Sequence, residues 1–205
     1  MTLSLQSSES ARSVLNVGGN NKAIEIPKCF QGWRHDLLDI DPLCNPDVLC
    51  DARELWKLPV RQYDAVYCSH NLEHYYAHDV VKVLKGFRLV LKRGGFAYIR
   101  VPDLLEVMKA VVENEMDIED ILYTAPSGPI RVLDVIYGFQ SQIERSGKDF
   151  FAHKTGFTEK TLIRMIMANG FPYVYSEVGD TEIFAIAFLD KPSQWQEELL
   201  SIKIK

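Results

Sequence analysis

The chain has 205 residues, of which 47% are hydrophobic and 25% charged, and its formal net charge is −5. This composition and length are typical of one globular α/β domain. No apolar run approaches the roughly 20 residues that span a bilayer, so we expect no membrane span. Lys and Arg are scattered among Asp and Glu, which argues against a nucleic-acid partner. Residues 1–12 lack the features of a secretory signal and are predicted to be a flexible leader to a single domain over 13–205.

The four cysteines form no CxxC pair and have no matching histidine spacing. We therefore expect no metal site. Most of them lie in or beside apolar stretches, where a reduced cysteine acts as a small hydrophobe, and a reducing cytoplasm is the predicted setting. The cysteines are Cys29, Cys44, Cys50 and Cys68.

Five nearly continuous apolar runs in the first half of the chain predict buried strands of a parallel sheet. In chain order they are Ser13–Val17 and residues 36–40, 47–50, 64–68 and 95–101.

A helix is predicted between the fourth and fifth strands. Its apolar residues recur at helical spacing at Val80, Val83, Leu84, Phe87 and Leu91. The basic residues 92–93 would form its last turn and the glycine pair 94–95 its stop. A strand, a helix and a strand in this order make a right-handed crossover and a parallel pair.

The second half predicts further helices and a closing hairpin, so one strand must run against the others. In chain order these elements are helices over 104–115 and 130–144 with a loop over 124–129 between them, a helix from the N-cap Thr158 to Gly170, and strands over 173–178 and 182–189.

Ligands of an open parallel sheet bind beyond the carboxyl ends of the strands, so the residues that follow each strand are the site candidates. Gly18 and Gly19 follow the first strand, and glycine allows close backbone approach to a ligand. Asp39 ends the second strand, where a carboxylate can accept from both hydroxyls of a ribose. After the third strand, Asp51 and the backbone N–H of Ala52 offer the acceptor and donor that adenine needs.

A run of polar and aromatic residues, 69–76, follows the fourth strand, and such a cluster at a strand end is a site candidate. For each of its members, packing in the core or on the surface is the alternative.

Five stretches of the chain, in this order and spacing, resemble the class I S-adenosylmethionine-dependent methyltransferases, and in particular a small bacterial group of predicted methyltransferases. They are LNVGGNNK (15–22), LLDIDP (37–42), DVLCDARELWKLP (47–59), YDAVYCSHNLEHY (63–75) and VLKGFRLVLKRGGFAYIRVPDL (83–104).

The resemblance implies a Rossmann-like fold whose seven-stranded, mostly parallel sheet has the order 3-2-1-4-5-7-6 with an antiparallel last strand. It implies S-adenosylmethionine as cofactor. The first loop would line its amino-acid end, the acidic residues after strands two and three would hold ribose and adenine, and the end of strand four would pass close to the sulfonium. The implied cofactor-binding residues are Asn16, Gly18, Gly19, Asn20, Asp39, Ile40, Asp51, Ala52, Ser69 and His70.

Two features depart from the family. Asn16 stands where an acidic residue is usual, and the later glycines of the loop are replaced or shifted. The connection over 19–34 is short and contains Pro27, so we expect no full crossover helix there. The residues around Phe30 and Trp33 would then cover the cofactor pocket or leave it partly open.

Residues of about 103–157 are predicted to form a small helical cap over the acceptor. An acceptor hydroxyl would need a base, and the candidates are His70, His74 and His153, with Asp103 as another. In the cap, Tyr123, Tyr137 and Phe139 would stack on the acceptor or pack in the core. We expect a small-molecule or glycan acceptor and favour O-methylation of a saccharide or polar metabolite.

Two alternatives are weighed against this reading. A nicotinamide-dependent oxidoreductase lacks support, because the chain has no G-x-G-x-x-G fingerprint. The other alternative is a methyltransferase-like module that binds the cofactor without turnover, since a fold does not guarantee activity. The sequence does not determine the oligomeric state.

Overall fold

The computed structural model describes residues 11–126 and 128–202, so most of the predicted leader lies outside the described residues. The strands are β1 (Ser13–Val17), β2 (Arg34–Asp39), β3 (Val48–Leu49), β4 (Tyr63–Ser69), β5 (Leu91–Pro102), β6 (Ile121–Ala125), β7 (Gly128–Arg131), β8 (Tyr173–Val178) and β9 (Glu182–Phe188). The helices are α1 (Ala77–Val90), α2 (Leu104–Glu113), α3 (Val132–Tyr137), α4 (Gln140–Ser146), α5 (Glu159–Ala168) and α6 (Gln194–Leu200).

The main sheet has seven strands in the order β3-β2-β1-β4-β5-β9-β8. Strands β1 to β5 pair in parallel, and β9 lies antiparallel between β5 and β8. This confirms the predicted fold class and strand order. The carboxyl ends of β1, β2 and β4 consequently lie side by side at one edge of the sheet.

The helix α1 packs on one face of this sheet. Its buried residues include Val80, Leu84 and Phe87, as the apolar spacing predicts. The predicted end of this helix is wrong, because the helix stops at Val90 and β5 begins at Leu91, so the basic residues 92–93 and the glycine pair 94–95 belong to the strand. Lys92 places its ammonium 2.7 Å from the Asp64 carboxylate on β4, and this pairing across strands replaces the predicted helical last turn.

The helix predicted over 130–144 is also wrong in its extent. It is divided into the end of β7, helix α3 and helix α4. The division between the two helices lies at Gly138, which has a φ of +95°. A Cβ at this position would approach the Phe151 carbonyl oxygen to 2.5 Å, so the backbones meet there too closely for a continuous helix with ordinary side chains.

Residues between β5 and α5 form the insertion that the sequence predicts as a helical cap. It contains α2, α3 and α4 and also the β6–β7 hairpin. The loop predicted over 124–129 is wrong in its extent, because Thr124 pairs with Pro129 and Ala125 with Gly128 in this hairpin. The insertion has a small core of its own around Val107, Val132 and Val135.

The second face of the sheet is covered by aromatic side chains in place of a first crossover helix. Between β1 and β2 the chain forms only a 3-10 turn over Lys28–Phe30, in agreement with the expectation that no full helix forms. Phe30 is buried against Trp33, Tyr67, Phe96 and Tyr98. This connection therefore closes the core and does not cover the predicted cofactor pocket.

The helix α5 begins at the predicted N-cap, where the Thr158 hydroxyl accepts from the Thr161 amide. The terminal helix α6 has no counterpart among the predicted elements. In the described part of the chain, no helix is both long and apolar enough to cross a membrane.

Candidate functional site

The loop after β1 is held in a shape that requires glycine. Gly18 has a φ of +70° and donates its N–H to the Leu38 carbonyl at 2.8 Å. A Cβ on Gly18 would overlap the Asn71 side chain, and one on Gly19 would overlap that of Asn16. Asn20 completes the loop with a φ of +58°, a left-handed conformation that asparagine tolerates better than most residues.

Asp39 is an acidic group at this edge of the sheet whose carboxylate is held by two backbone N–H groups. Its two carboxylate oxygens accept from the backbone N–H groups of Asn20 at 3.1 Å and Asp41 at 2.9 Å. The residue is 8% exposed. An ionised carboxylate has about four acceptor sites, so two remain for hydroxyl groups of a ligand.

Asp51 forms an ion pair with Arg53, a residue for which no role was predicted. Its carboxylate accepts from the Arg53 side chain at 2.9 Å and from the Arg53 backbone N–H at 2.9 Å. Burial alone would raise the pKa of Asp51, but these hydrogen bonds outweigh burial and hold it below its ordinary value. The carboxylate is therefore an ionised acceptor, shared between Arg53 and any ligand.

His70 lies at the end of β4 in the left-handed region, with a φ of +49°. Its Nε2 lies 2.7 Å from Glu182 and its Nδ1 3.6 Å from Glu73. Burial alone would lower the pKa of His70, but the hydrogen bond to Glu182 and the charge of Glu73 raise it to about 9. His70 is thus a cation at neutral pH, and this state does not fit the predicted role of general base.

Glu182 lies on β9 and accepts from both His70 and Arg100. The hydrogen bond from His70 has the largest effect, and together with that from Arg100 it lowers the pKa of Glu182 to about 2.

The depressed pKa of Glu182 predicts an acid-dependent loss of stability. A carboxylate with a lowered pKa in the folded state stabilises the fold above its ordinary pKa, and this contribution is lost as the pH falls toward the folded value. We expect the free energy of unfolding to fall more steeply between about pH 4.5 and about pH 2 in the wild type than in Glu182→Gln. Urea unfolding followed by circular dichroism across this range measures it, and parallel profiles would contradict the assignment.

The cap closes the site from the other side. Lys148 places its ammonium 2.7 Å from Asp41, and this hydrogen bond, more than any other group, lowers the pKa of Asp41. The backbone N–H groups of Lys154 and Thr155 donate to the Glu73 carbonyl at 2.8 and 3.2 Å. The cap is thus joined both to the loop after β2 and to the turn after β4.

A cavity of about 540 Å³ lies between the strand ends and the cap, within the range of small-molecule sites. Several predicted residues line it, namely Gly18, Asn20, Asp39, Ile40, Asp51, His70 and His74. Its wall also contains residues for which no role was predicted, namely Arg53, Asp79, Lys148, Asp149, Phe150, Phe151 and Lys154.

Other predicted site residues do not line this cavity. Among the cofactor candidates these are Asn16, Gly19, Ala52 and Ser69. Asn16 is buried, its Nδ2 lies 3.2 Å from the Nε2 of His35, and its side chain packs against Gly19 of the loop.

Among the predicted groups for the acceptor, His153 lies behind His74, with ring centroids 4.7 Å apart. The expectation for Asp103 is corrected, because its buried carboxylate caps α2 by accepting from the Leu105 N–H. Tyr123, Tyr137 and Phe139, for which stacking or core packing was predicted, do not line the cavity, whose aromatic groups are Tyr75, Tyr76, Phe150 and Phe151.

The comparisons with known proteins agree with this architecture. A family model described as a methyltransferase domain matches residues 13–99. No protein of curated function matches the sequence. A solved S-adenosylmethionine-dependent methyltransferase from Archaeoglobus fulgidus is similar, with a TM-score of 0.55 and 17% identity over 87% of this chain and 86% of that one.

The 1,6-didemethyltoxoflavin-N1-methyltransferase of Burkholderia thailandensis, solved with S-adenosylhomocysteine, has a TM-score of 0.53 and 16% identity. The likeness covers 87% of this chain and 71% of that one. A methyltransferase of Methanosarcina mazei has a TM-score of 0.53 and 14% identity, with 87% and 92% covered. The methyltransferase-domain model thus matches the chain over residues 13–99, and the sheet has the strand order of the Rossmann-like fold that the resemblance implies.

Proposed function

We propose that this chain transfers the methyl group of S-adenosylmethionine to a small polar acceptor held between the strand ends and the cap. The observation that carries the proposal is Asp39. Its carboxylate is fixed by two backbone N–H groups at the end of β2 and borders the cavity, where it can accept from both ribose hydroxyls. The loop at Gly18 lies beside it, and Asp51 lies at the end of the neighbouring strand.

The chemistry asked of the protein is mainly alignment. A sulfonium methyl group is already electrophilic, so placing the acceptor in line with the S–CH₃ bond is the main requirement. Positioning of this kind can lower a barrier by roughly 7–11 kcal/mol in well-oriented cases. The cap supplies the surfaces that would hold the acceptor.

We propose a hydroxylated acceptor, such as a saccharide or a related polar metabolite. The cap side of the cavity combines the rings of Phe150 and Phe151 with the ammonium groups of Lys148 and Lys154. Aromatic faces with nearby polar groups suit a ring that carries hydroxyls. Methyl transfer to a hydroxyl also releases a proton.

His74 is the group that we assign to accept this proton. Among the predicted bases, His70 is a cation and His153 does not border the cavity, whereas His74 does. The Nδ1 of His74 lies 3.3 Å from the Ala152 carbonyl oxygen, which can only accept. The proton shared with this carbonyl therefore lies on Nδ1, and Nε2 is the ring nitrogen that can face an acceptor hydroxyl.

Calorimetry tests the cofactor assignment. We expect saturable binding of S-adenosylmethionine and S-adenosylhomocysteine, because Asp39 and the loop suit their ribose. We expect no binding of NAD, because the dinucleotide fingerprint is absent. No heat with either sulfur compound would contradict the proposal. Binding without release of S-adenosylhomocysteine across a panel of hydroxylated acceptors would instead favour the module without turnover.

A further inference from the structure

The turn after β4 contains a buried carboxylate that the proposed function leaves unexplained. Glu73 lies in the 3-10 turn Leu72–His74 and is 1% exposed. Among the residues that the structure describes, neither of its carboxylate oxygens has a hydrogen-bond partner. The nearest cationic group is His70, whose Nδ1 is 3.6 Å from Oε1 and so beyond hydrogen-bond distance. A buried carboxylate without partners is costly, and such a group needs an explanation.

Two histidines face this carboxylate from different parts of the chain. His74 follows Glu73 directly, and His153 comes from the cap. Each offers a ring nitrogen such that these atoms and a Glu73 oxygen all lie within 4.8 Å of one another. The set of two imidazoles and one carboxylate is a common donor set for divalent transition metals.

One ring nitrogen of each histidine contacts a backbone carbonyl, as is usual for metal-binding histidines. The Nδ1 of His74 lies 3.3 Å from the Ala152 carbonyl oxygen, and that of His153 lies 2.9 Å from the Val135 carbonyl oxygen. Because a carbonyl oxygen only accepts, Nδ1 must carry the proton in both rings. The lone pair is then on Nε2, and a backbone carbonyl on the opposite nitrogen is the usual support of a ligating histidine.

The backbone holds the three groups together independently of any ligand. His153 donates its N–H to the Tyr137 carbonyl at 3.1 Å, and the next two N–H groups of the cap donate to the Glu73 carbonyl. Metal–ligand bonds of roughly 2.1 Å at a tetrahedral angle would place donor atoms about 3.4 Å apart. The three donor atoms lie within 4.8 Å of one another, so a bound ion would draw them closer together.

We propose that Glu73, His74 and His153 bind a divalent transition-metal ion of the Zn²⁺ class at the junction of the β4 turn and the cap. The expectation of no metal site considered only the cysteines, whereas these three donors are brought together only by the fold. Three protein ligands leave one position of a tetrahedral ion open to water. Metal binding does not require the cofactor. A filled site would occupy the Nε2 lone pair of His74, so a positive metal titration would remove His74 as the proposed proton acceptor and leave the proposed methyl transfer itself standing.

The experiment is a metal titration of the untagged, reduced and chelator-treated chain in the absence of S-adenosylmethionine. We expect one Zn²⁺ per chain by calorimetry and no binding of Mg²⁺, which prefers oxygen ligands. Co²⁺ should give visible d–d absorption bands typical of a tetrahedral site, without thiolate charge-transfer bands.

Two variants should lower Zn²⁺ affinity at least tenfold. Glu73→Gln removes the charge at nearly constant shape. His153→Asn keeps an amide donor for the Val135 carbonyl and removes the distal nitrogen. The matched control is His78→Ala, whose side chain is 74% exposed at the start of α1 and which should bind as the wild type does. Circular dichroism of the metal-free variants shows whether they fold.

The inference is overturned if the wild type shows no saturable Zn²⁺ binding, in which case Glu73 serves only as a counter-charge to His70. It is also overturned if folded Glu73→Gln and His153→Asn bind as tightly as the wild type, or if thiolate bands place the ion on a cysteine. Because S-adenosylmethionine binding is measured separately, a negative metal titration leaves the proposed methyl transfer standing, and a failed cofactor titration leaves the metal site standing.

Discussion

We expect Asp39→Ala to weaken the binding of S-adenosylmethionine by about 5- to 150-fold, the range that corresponds to about 1–3 kcal/mol. The carboxylate fixes the loop after β1 through the Asn20 N–H and the loop after β2 through the Asp41 N–H. Its removal therefore releases both loops and deletes the acceptors proposed for the ribose hydroxyls. Calorimetric titration with S-adenosylmethionine and S-adenosylhomocysteine measures the loss.

A matched control separates the ligand contact from the support of β2. Asp47 also accepts from a backbone N–H of this strand, that of Leu37 at 2.7 Å, but it does not border the cavity. We expect Asp47→Ala to lower stability and to leave cofactor affinity near that of the wild type. Asp39→Asn, which keeps one acceptor oxygen, should give an intermediate affinity. A folded Asp39→Ala variant with unchanged affinity would show that the ribose lies elsewhere.

The sheet could be predicted because each of its strands leaves a local pattern. Buried parallel strands are short apolar runs, and the closing hairpin gives the antiparallel direction of β9. The errors lie where a tertiary contact decides the local conformation. Lys92 is compatible with a helix end, but it reaches Asp64 on the neighbouring strand. A single glycine such as Gly138 is tolerated inside a helix, but here the Phe151 backbone lies too close for the helix to continue.

The site could be predicted on the side formed by the strand ends, since topology alone brings the loops after β1, β2 and β4 together. The side of the site that the cap forms could not be predicted from the sequence. Lys148 is separated from its partner Asp41 by 107 positions, and His74 from the Ala152 carbonyl by 78. The polar run after β4 was a site candidate as a whole, yet the buried state of Glu73 within it has no local signal. Only the packing of the cap against this turn reveals it.

Phe30→Ala is expected to have the largest effect on stability, about 3–5 kcal/mol, which is the usual cost of truncating a buried phenylalanine. This ring covers the sheet face that has no crossover helix, and it contacts Trp33, Tyr67, Phe96 and Tyr98 at centroid distances of 5.4 to 6.1 Å. Between β1 and β2 there is no α-helix, only the 3-10 turn that contains Phe30, to fill the space that the ring would leave. Urea unfolding followed by circular dichroism measures the change.

The control for Phe30 is an aromatic residue outside the core. Trp56 is 66% exposed, so Trp56→Ala should change the free energy of unfolding by about 0.5 kcal/mol or less. Phe30→Leu should recover much of the loss, because it retains apolar volume in the same place. A loss below about 1 kcal/mol in Phe30→Ala would mean that the connection between β1 and β2 is not part of the core. Native domains are stable by only about 5–15 kcal/mol, so the expected loss is a large share of the total free energy of unfolding. The Phe30 side chain then fills the space on this sheet face that a crossover helix would otherwise cover.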